Sequence, residues 1–241
     1  MIQSTQCGNN TLLTWQYSPT DLTPAWFEPS FWQQQDKIYA QKTGRATTWF
    51  FKHDELKAVL RHYWRGGLVG KILQDQYLNL GIKRSRVYRE FMLLCQLHQQ
   101  GFNVPTPVAA CFSQAGLIYR ADIITQAITG ADSLLDRLQI KALTQDEIIK
   151  IAQCIADFHN AGVFHADLNI NNILFDDKGE IFLIDFDRGQ LKPPAQSWQQ
   201  ANINRLLRSF NKQAKRLSCF YWTEQDWALF ISHYQKTIKK A

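Results

Sequence analysis

Apolar positions along this chain follow two rhythms, and the switch between them locates the elements. Over residues 144–162 the rhythm is helical: Ile148, Ile151, Ala152, Ile155 and Phe158 return every three or four positions and share one face. Thr144 and Glu147 form a capping box ahead of that run, and Gly162 stops it. The same spacing predicts a helix over residues 85–100, striped by Val87, Phe91, Leu94 and Leu97 or His98 and ended by Gly101. A helix over residues 201–217 carries Leu206, Leu207, Phe210, Ala214 and Leu217 on one side. A last helix begins after Thr223, with Trp227, Phe230, Ile231, Tyr234 and Ile238 inward; Lys236, Lys239 and Lys240 near its end suit the helix dipole. Strands are predicted at residues 57–63, and at 117–119 paired with 122–125. Two more, residues 172–175 and 180–184, are joined by the turn Asp176-Asp177-Lys178-Gly179.

These elements predict an α+β chain in two lobes. Residues 35–126 form an antiparallel sheet with one main helix, residues 127–131 with Gly130 a hinge, and residues 132–241 a mainly helical lobe. Residues 1–34, with Trp15, Trp26 and Trp32 among Pro19, Pro24 and Pro29, show no periodicity and are expected to pack on the first lobe as an irregular extension. Those tryptophans are assigned no chemistry.

Composition narrows the picture modestly. The chain has 241 residues and a net charge of +6, most of the excess lying after Asp187. Arg205, Arg208, Lys212, Lys215 and Arg216 line one side of the 201–217 helix, a face suited either to solvent or to an anionic lipid or substrate. Cys7, Cys95, Cys111, Cys154 and Cys219 are scattered, with no zinc-like spacing, and predict thiols in a reducing compartment. The first residues lack the basic start and apolar core of a secretory signal, and no stretch is long enough to span a bilayer. The expected location is the cytoplasm or a membrane surface.

The candidate chemistry lies in His165-Ala166-Asp167-Leu168-Asn169-Ile170-Asn171-Asn172, followed across the hairpin by Ile184-Asp185-Phe186-Asp187. Asp167 and Asn172 belong to one tight loop, and the hairpin returns Asp185 beside Asn172. Phosphoryl transfer needs an oriented acceptor, a metal on the phosphate oxygens and fixed positive charge. Asp167 is assigned as base and orienter of a hydroxyl, Asn172 and Asp185 as oxygen ligands for Mg2+, and His165 as a brace for the loop. Arg61 at the end of its strand is the candidate phosphate-holding cation, in a place where this pattern usually has lysine. Glu90 shares the apolar stripe of the 85–100 helix, where a carboxylate is costly unless paired, and Arg61 is its expected partner. Gly44 is the one glycine placed for a phosphate-covering loop. Gly66-Gly67-Leu68-Val69-Gly70-Lys71 is not a P-loop, because its glycine spacing is one short and Ile72 stands where Ser or Thr is required; Arg65-Gly66-Gly67 reads as a loop after the Arg61 strand. Arg188 beside the metal site serves either a salt bridge within the fold or an acidic group of the acceptor.

Two features set the loop apart from typical protein kinases: Asn169 replaces the usual lysine, and no Ala-Pro-Glu follows Asp185. Residues 165–174, Asp185-Phe186-Asp187-Arg188-Gly189, and Leu60-Arg61-His62-Tyr63-Trp64-Arg65-Gly66-Gly67 resemble the lipopolysaccharide-core sugar kinases of the protein-kinase-like superfamily. Among these the pieces are closest to enzymes acting on 3-deoxy-D-manno-octulosonic acid (Kdo). The resemblance covers roughly residue 35 to the C-terminal helices, including Trp198 and Asn204-Arg205-Leu206-Leu207-Arg208-Ser209. It implies a bilobal kinase-like fold with adenine against the hinge, and use of ATP and Mg2+. It also implies phosphorylation of the Kdo 4-hydroxyl in the anionic glycolipid Kdo–lipid IVA, at the cytoplasmic face of a bacterial inner membrane, with no nucleic-acid partner. A heptose or other small-molecule sugar kinase, or a small atypical protein kinase, is the alternative.

Overall fold

The computed structural model describes residues 1–43, 47–64 and 75–239. The chain forms two compact units, Met1–Gln99 with Pro105–Ala127, and Gln100–Val104 with Ile128–Ala241. Gly44 and the stretch from Arg65 to Ile72 lie outside the described residues, so the phosphate-covering glycine and the Arg65-Gly66-Gly67 loop gain no structural account.

The first unit is built on an antiparallel sheet. Its strands are β1 (Gln3–Cys7), β2 (Asn10–Thr14), β3 (Ile38–Thr43), β4 (Thr47–His53), β5 (Leu56–His62), β6 (Tyr77–Leu78), β7 (Pro107–Ala115) and β8 (Ile118–Gln126), in the order β1-β2-β7-β8-β5-β4-β3, with β6 also on β8. A short helix α1 (Pro29–Gln33) follows a 3-10 turn at Pro24–Phe27, and the main helix is α2 (Arg86–Gln99). Successive side chains of a strand point to opposite faces. On β5 this sends Ala58 and Leu60 into a layer with Trp26, Trp32, Phe51 and Ile124. Arg61 points the other way, to Glu90 on α2. Trp32 stacks on Phe51 with ring centroids 4.0 Å apart, so these tryptophans are core.

Two expectations need correcting here. The N-terminal segment is not irregular: β1 and β2 form a hairpin that extends the sheet through β7. Its outer strand is exposed on both faces at four of five positions, so it carries no alternation to read. Residues 117–119 and 122–125 are not two paired strands either. Leu117 lies in the turn with Gly116, and residues 118–119 and 122–125 belong to the single strand β8, which that turn joins to β7.

The second unit contains β9 (Asp132–Ser133), α3 (Leu134–Ile140), α4 (Gln145–Asn160), β10 (Val163–Phe164), β11 (Ile173–Phe175), β12 (Ile181–Leu183), β13 (Gln190–Leu191), α5 (Gln196–Ala214) and α6 (Glu224–Thr237). Helix α4 has the Thr144–Glu147 capping box and buries Ile148, Ile151, Ala152, Ile155 and Phe158. Residues 100–104 join this unit: Leu183 N–H donates to the Asn103 carbonyl (3.1 Å), and Phe102 lies against Phe158. Helix α6 begins with a capping box from Thr223 and buries Phe230 and Tyr234; Trp227, Ile231 and Ile238 are only half-buried.

Helix α5 starts earlier than its apolar pattern predicts and buries a different stripe: Gln199, Asn202, Ile203, Leu206 and Phe210. Ala214 is exposed, and Leu207 and Leu217 are half-buried. Two of the five buried positions are polar, which the apolar rhythm has no means of showing. Among the described residues no helix is long and apolar enough to cross a membrane.

Candidate active site

The loop of interest begins where α4 ends. Gly162 takes φ +78°, and its N–H donates to the His159 carbonyl (3.0 Å). The chain then enters β10, which pairs with β13, and Lys192 N–H donates back to the Gly162 carbonyl at 2.8 Å. A Cβ on residue 162 would lie 2.2 Å from the Lys192 carbonyl oxygen. Glycine is therefore required here both by backbone conformation and by space.

His165 ties the loop to the hairpin. Its Nδ1 accepts from the Asp167 backbone N–H (3.2 Å), which leaves Nε2 as the protonated nitrogen, donating to the Ile184 carbonyl at 2.9 Å. The ring also rests on Phe186. Burial holds this imidazole below its ordinary pKa, and the neutral form is the one these two bonds need.

Asn172 is fixed from three sides. Its Nδ2 donates to the Asp167 carbonyl (3.0 Å), its backbone N–H donates to the Asn169 carbonyl (3.0 Å), and its carbonyl accepts from Ile184 N–H (3.0 Å). Strands β11 and β12 pair Ile173 with Leu183, so the ladder delivers Asp185 next to Asn172. Asp185 leaves that ladder at φ +63°, a left-handed conformation that a non-glycine residue keeps only where its surroundings hold it.

The donor set suits a hard cation. Because Asn172 spends its amide nitrogen on the Asp167 carbonyl, its amide oxygen is the edge left to face a ligand. Asp185 adds a carboxylate. Among the described residues no group of three or more His, Cys, Asp or Glu is arranged as a metal site. One carboxylate and one amide oxygen match magnesium, which keeps waters and substrate phosphates as its other ligands.

Helix α5 splints this loop. Gln199 Nε2 donates to the His159 carbonyl (3.3 Å), and Asn202 Oδ1 accepts from His165 N–H (3.3 Å). Arg205 Nη1 donates to Asp167 Oδ1 (3.2 Å), and Ser209 Oγ accepts from Ile170 N–H (3.2 Å). Spacings of three, three and four residues put all four on one helix face, and their partners run in the same order along the chain. The sequence pattern showed the charge of Arg205 but not this ladder. Polar residues that bond to a distant backbone leave no periodic trace.

In the first unit, Arg61 Nη2 donates to Glu90 Oε1 and Tyr63 Oη donates to Glu90 Oε2. Glu90 is 2% exposed, so the expected pairing on the α2 stripe is present and the carboxylate is not a solvated edge. A buried carboxylate with two donors holds its guanidinium in a fixed place. Arg188 is exposed, at φ +59°, and forms no salt bridge with another described residue. That removes the internal role considered for it among those residues.

Two buried histidines make a pH prediction. Burial pushes His159 down to about 4 and lowers His165 as well. Below pH 6.5 the unfolded chain takes up protons that the folded chain refuses, so stability falls as pH drops from about 6.5 toward 4. His159 alone, moving from 6.5 to about 4, accounts for about 3 kcal/mol. His62 acts outside this window: burial pulls it down, but bonds and charge from Asp122 and Asp75 leave it raised, so its contribution is complete below 6.5. Urea midpoints measured at pH 7, 6, 5 and 4.5 should fall steadily; a flat profile would contradict the assignment.

A sheet with one main helix in one unit, and a mainly helical unit presenting Asp167, Asn172 and Asp185 on a loop and hairpin, define an α+β fold of the protein-kinase-like class. Residues 29–234 match the lipopolysaccharide kinase (Kdo/WaaP) family, and the chain belongs to that family. It is 41% identical to a 3-deoxy-D-manno-octulosonic acid kinase of Vibrio parahaemolyticus serotype O3:K6 (strain RIMD 2210633) over 229 residues, 95% of each chain. Identity is 40% over 239 residues to a protein of the same name from Vibrio vulnificus (strain YJ016), covering 98% of this chain and 99% of that one. A Pasteurella multocida (strain Pm70) protein of that name is 39% identical over 236 residues, 94% of this chain and 97% of its own.

Proposed function

We propose that the chain transfers the γ-phosphoryl group of ATP to the 4-hydroxyl of Kdo in Kdo–lipid IVA, a step of lipopolysaccharide core assembly. The observation that carries this is the grouping of Asp167, Asn172 and Asp185 by one loop and one hairpin, in a chain similar along nearly its whole length to kinases named for that acid. Asp167 orients the acceptor hydroxyl and takes its proton. It is exposed, as a group meeting an incoming acceptor must be. His165 acts through the loop, not on the substrate.

Asn172 and Asp185 would hold magnesium, which when bound offsets the charge on the phosphate oxygens. Arg61 supplies the fixed cation for the nucleotide phosphates, with Glu90 and Tyr63 holding its position. A guanidinium in this role offers a planar fork of donors where lysine offers a point charge.

The enzyme works from the surface of the inner membrane's cytoplasmic face. Arg205, Arg208, Lys212, Lys215 and Arg216 are all exposed in or just beyond α5, a basic surface that suits an anionic glycolipid.

The direct test is transfer of labelled phosphate from ATP–magnesium to purified Kdo–lipid IVA, with the phosphate located on the ring. Label at the Kdo 4-hydroxyl is expected. Label only in a heptosylated acceptor would move the assignment to a heptose kinase, and label only in protein would move it to a protein kinase.

A further inference from the structure

The contact between Arg205 and Asp167 is unlike the other rungs of the α5 ladder. Gln199, Asn202 and Ser209 bond to backbone at the end of α4 and in the loop, and Gln199 and Asn202 are buried. Arg205 bonds to a side chain, and that side chain is the assigned base. Both partners are open to solvent, at 46% and 60% exposure, and are joined by one bond at 3.2 Å. An exposed single-contact pair contributes little to stability. Four of the five guanidinium N–H donors are not engaged by this bond.

The helix beneath is nonetheless held firmly. Asn202 and Ser209, on either side of Arg205 along the face, clamp α5 to the backbone of residues 165 and 170. The guanidinium is thus carried on a fixed stem to the place where the acceptor hydroxyl must arrive, while its own bond is cheap to exchange. It also occupies one of the two Asp167 oxygens and draws charge from the carboxylate that is to take the hydroxyl proton.

We propose that Arg205 recognises the carboxylate of the acceptor sugar: the acid takes the guanidinium from Asp167, and the exchange leaves both Asp167 oxygens available to the hydroxyl. One ion pair replaces another, and Asp167, which is exposed, has the acceptor hydroxyl and solvent as partners in place of the guanidinium. A carboxylate fits the guanidinium fork through two parallel bonds, where Asp167 uses one. Acceptor acidity thereby becomes a condition for a free base. The proposal rests on the acid-sugar acceptor assigned above.

The test compares two acceptors, Kdo–lipid IVA and its carboxylate methyl ester, with the wild-type chain and with Arg205→Gln and Arg205→Lys. The wild type should prefer the acid by about 10- to 100-fold in kcat/KM, the range for losing a charge-assisted paired contact. Arg205→Gln should erase that preference, lowering kcat/KM on the acid far more than on the ester. Arg205→Lys should restore part of it through charge alone. Residue 205 is an exposed helix position, and urea midpoints check that both variants fold. An equal loss on both acceptors would make Arg205 a support for Asp167 only and overturn the proposal. So would no change on either, or a wild type indifferent to esterification. A wild type that phosphorylates neither acceptor would refute the acceptor assignment itself, a distinct result visible before any variant is made.

Discussion

Replacing Asp167 with alanine should lower phosphate transfer by about 10²- to 10⁴-fold, the range for losing a positioned proton acceptor. Binding of the magnesium–nucleotide complex should change little, because the role proposed for Asp167 is on the hydroxyl. Asp185→Ala should give the opposite division, weakening nucleotide binding in a magnesium-dependent way as one of the two proposed oxygen ligands is lost. Titrating ATP with and without magnesium, beside single-turnover transfer, separates the two. Asn172 is held by the Asp167 backbone carbonyl and by Ile184 N–H, contacts that truncating the Asp167 side chain leaves in place. Equal loss of nucleotide binding in both variants would reject the assignment of roles.

Gly162→Ala should be among the most damaging single-methyl additions in the second unit. Left-handed backbone costs a non-glycine residue about 1–2 kcal/mol. The new methyl would also meet the Lys192 carbonyl at 2.2 Å, so β13 must move and its bonds to β10 must weaken. Each such bond contributes about 1 kcal/mol, which brings the expected loss to roughly 3 kcal/mol or more, a large share of a domain's stability. Gly179→Ala is the matched control: φ is +77° there too, with nothing within 4 Å of the added carbon. It should cost only the conformational part. Equal urea midpoints for the two variants would show that the close approach at Lys192 is unimportant.

Much of this was legible in the residues themselves. Helix α4 advertised its start with Thr144 and Glu147, its face with five apolar residues and its end with Gly162. Glu90 was readable as a paired charge because a carboxylate on an apolar stripe demands a partner. The hairpin after Asn172 was readable because the Asp176–Gly179 turn separates two short apolar strands. What stayed hidden lacked such marks. Strand β1 has no buried face to alternate. Strand β8 runs straight through Arg120 and Ala121, and the exposed arginine interrupts its apolar run without ending the strand. Helix α5 opens on Gln196 without a side-chain cap and buries amides as well as apolar groups. The partners of those amides lie some 40 residues upstream, a pairing that only the folded chain reveals.

The α5 ladder has a consequence for engineering. Grafting the segment around Asp167 from a relative with another acceptor would import a loop whose amide hydrogens at positions 165 and 170 expect matching oxygens from a foreign helix. The transplant should succeed only when residues 199, 202, 205 and 209 travel with it as one cassette.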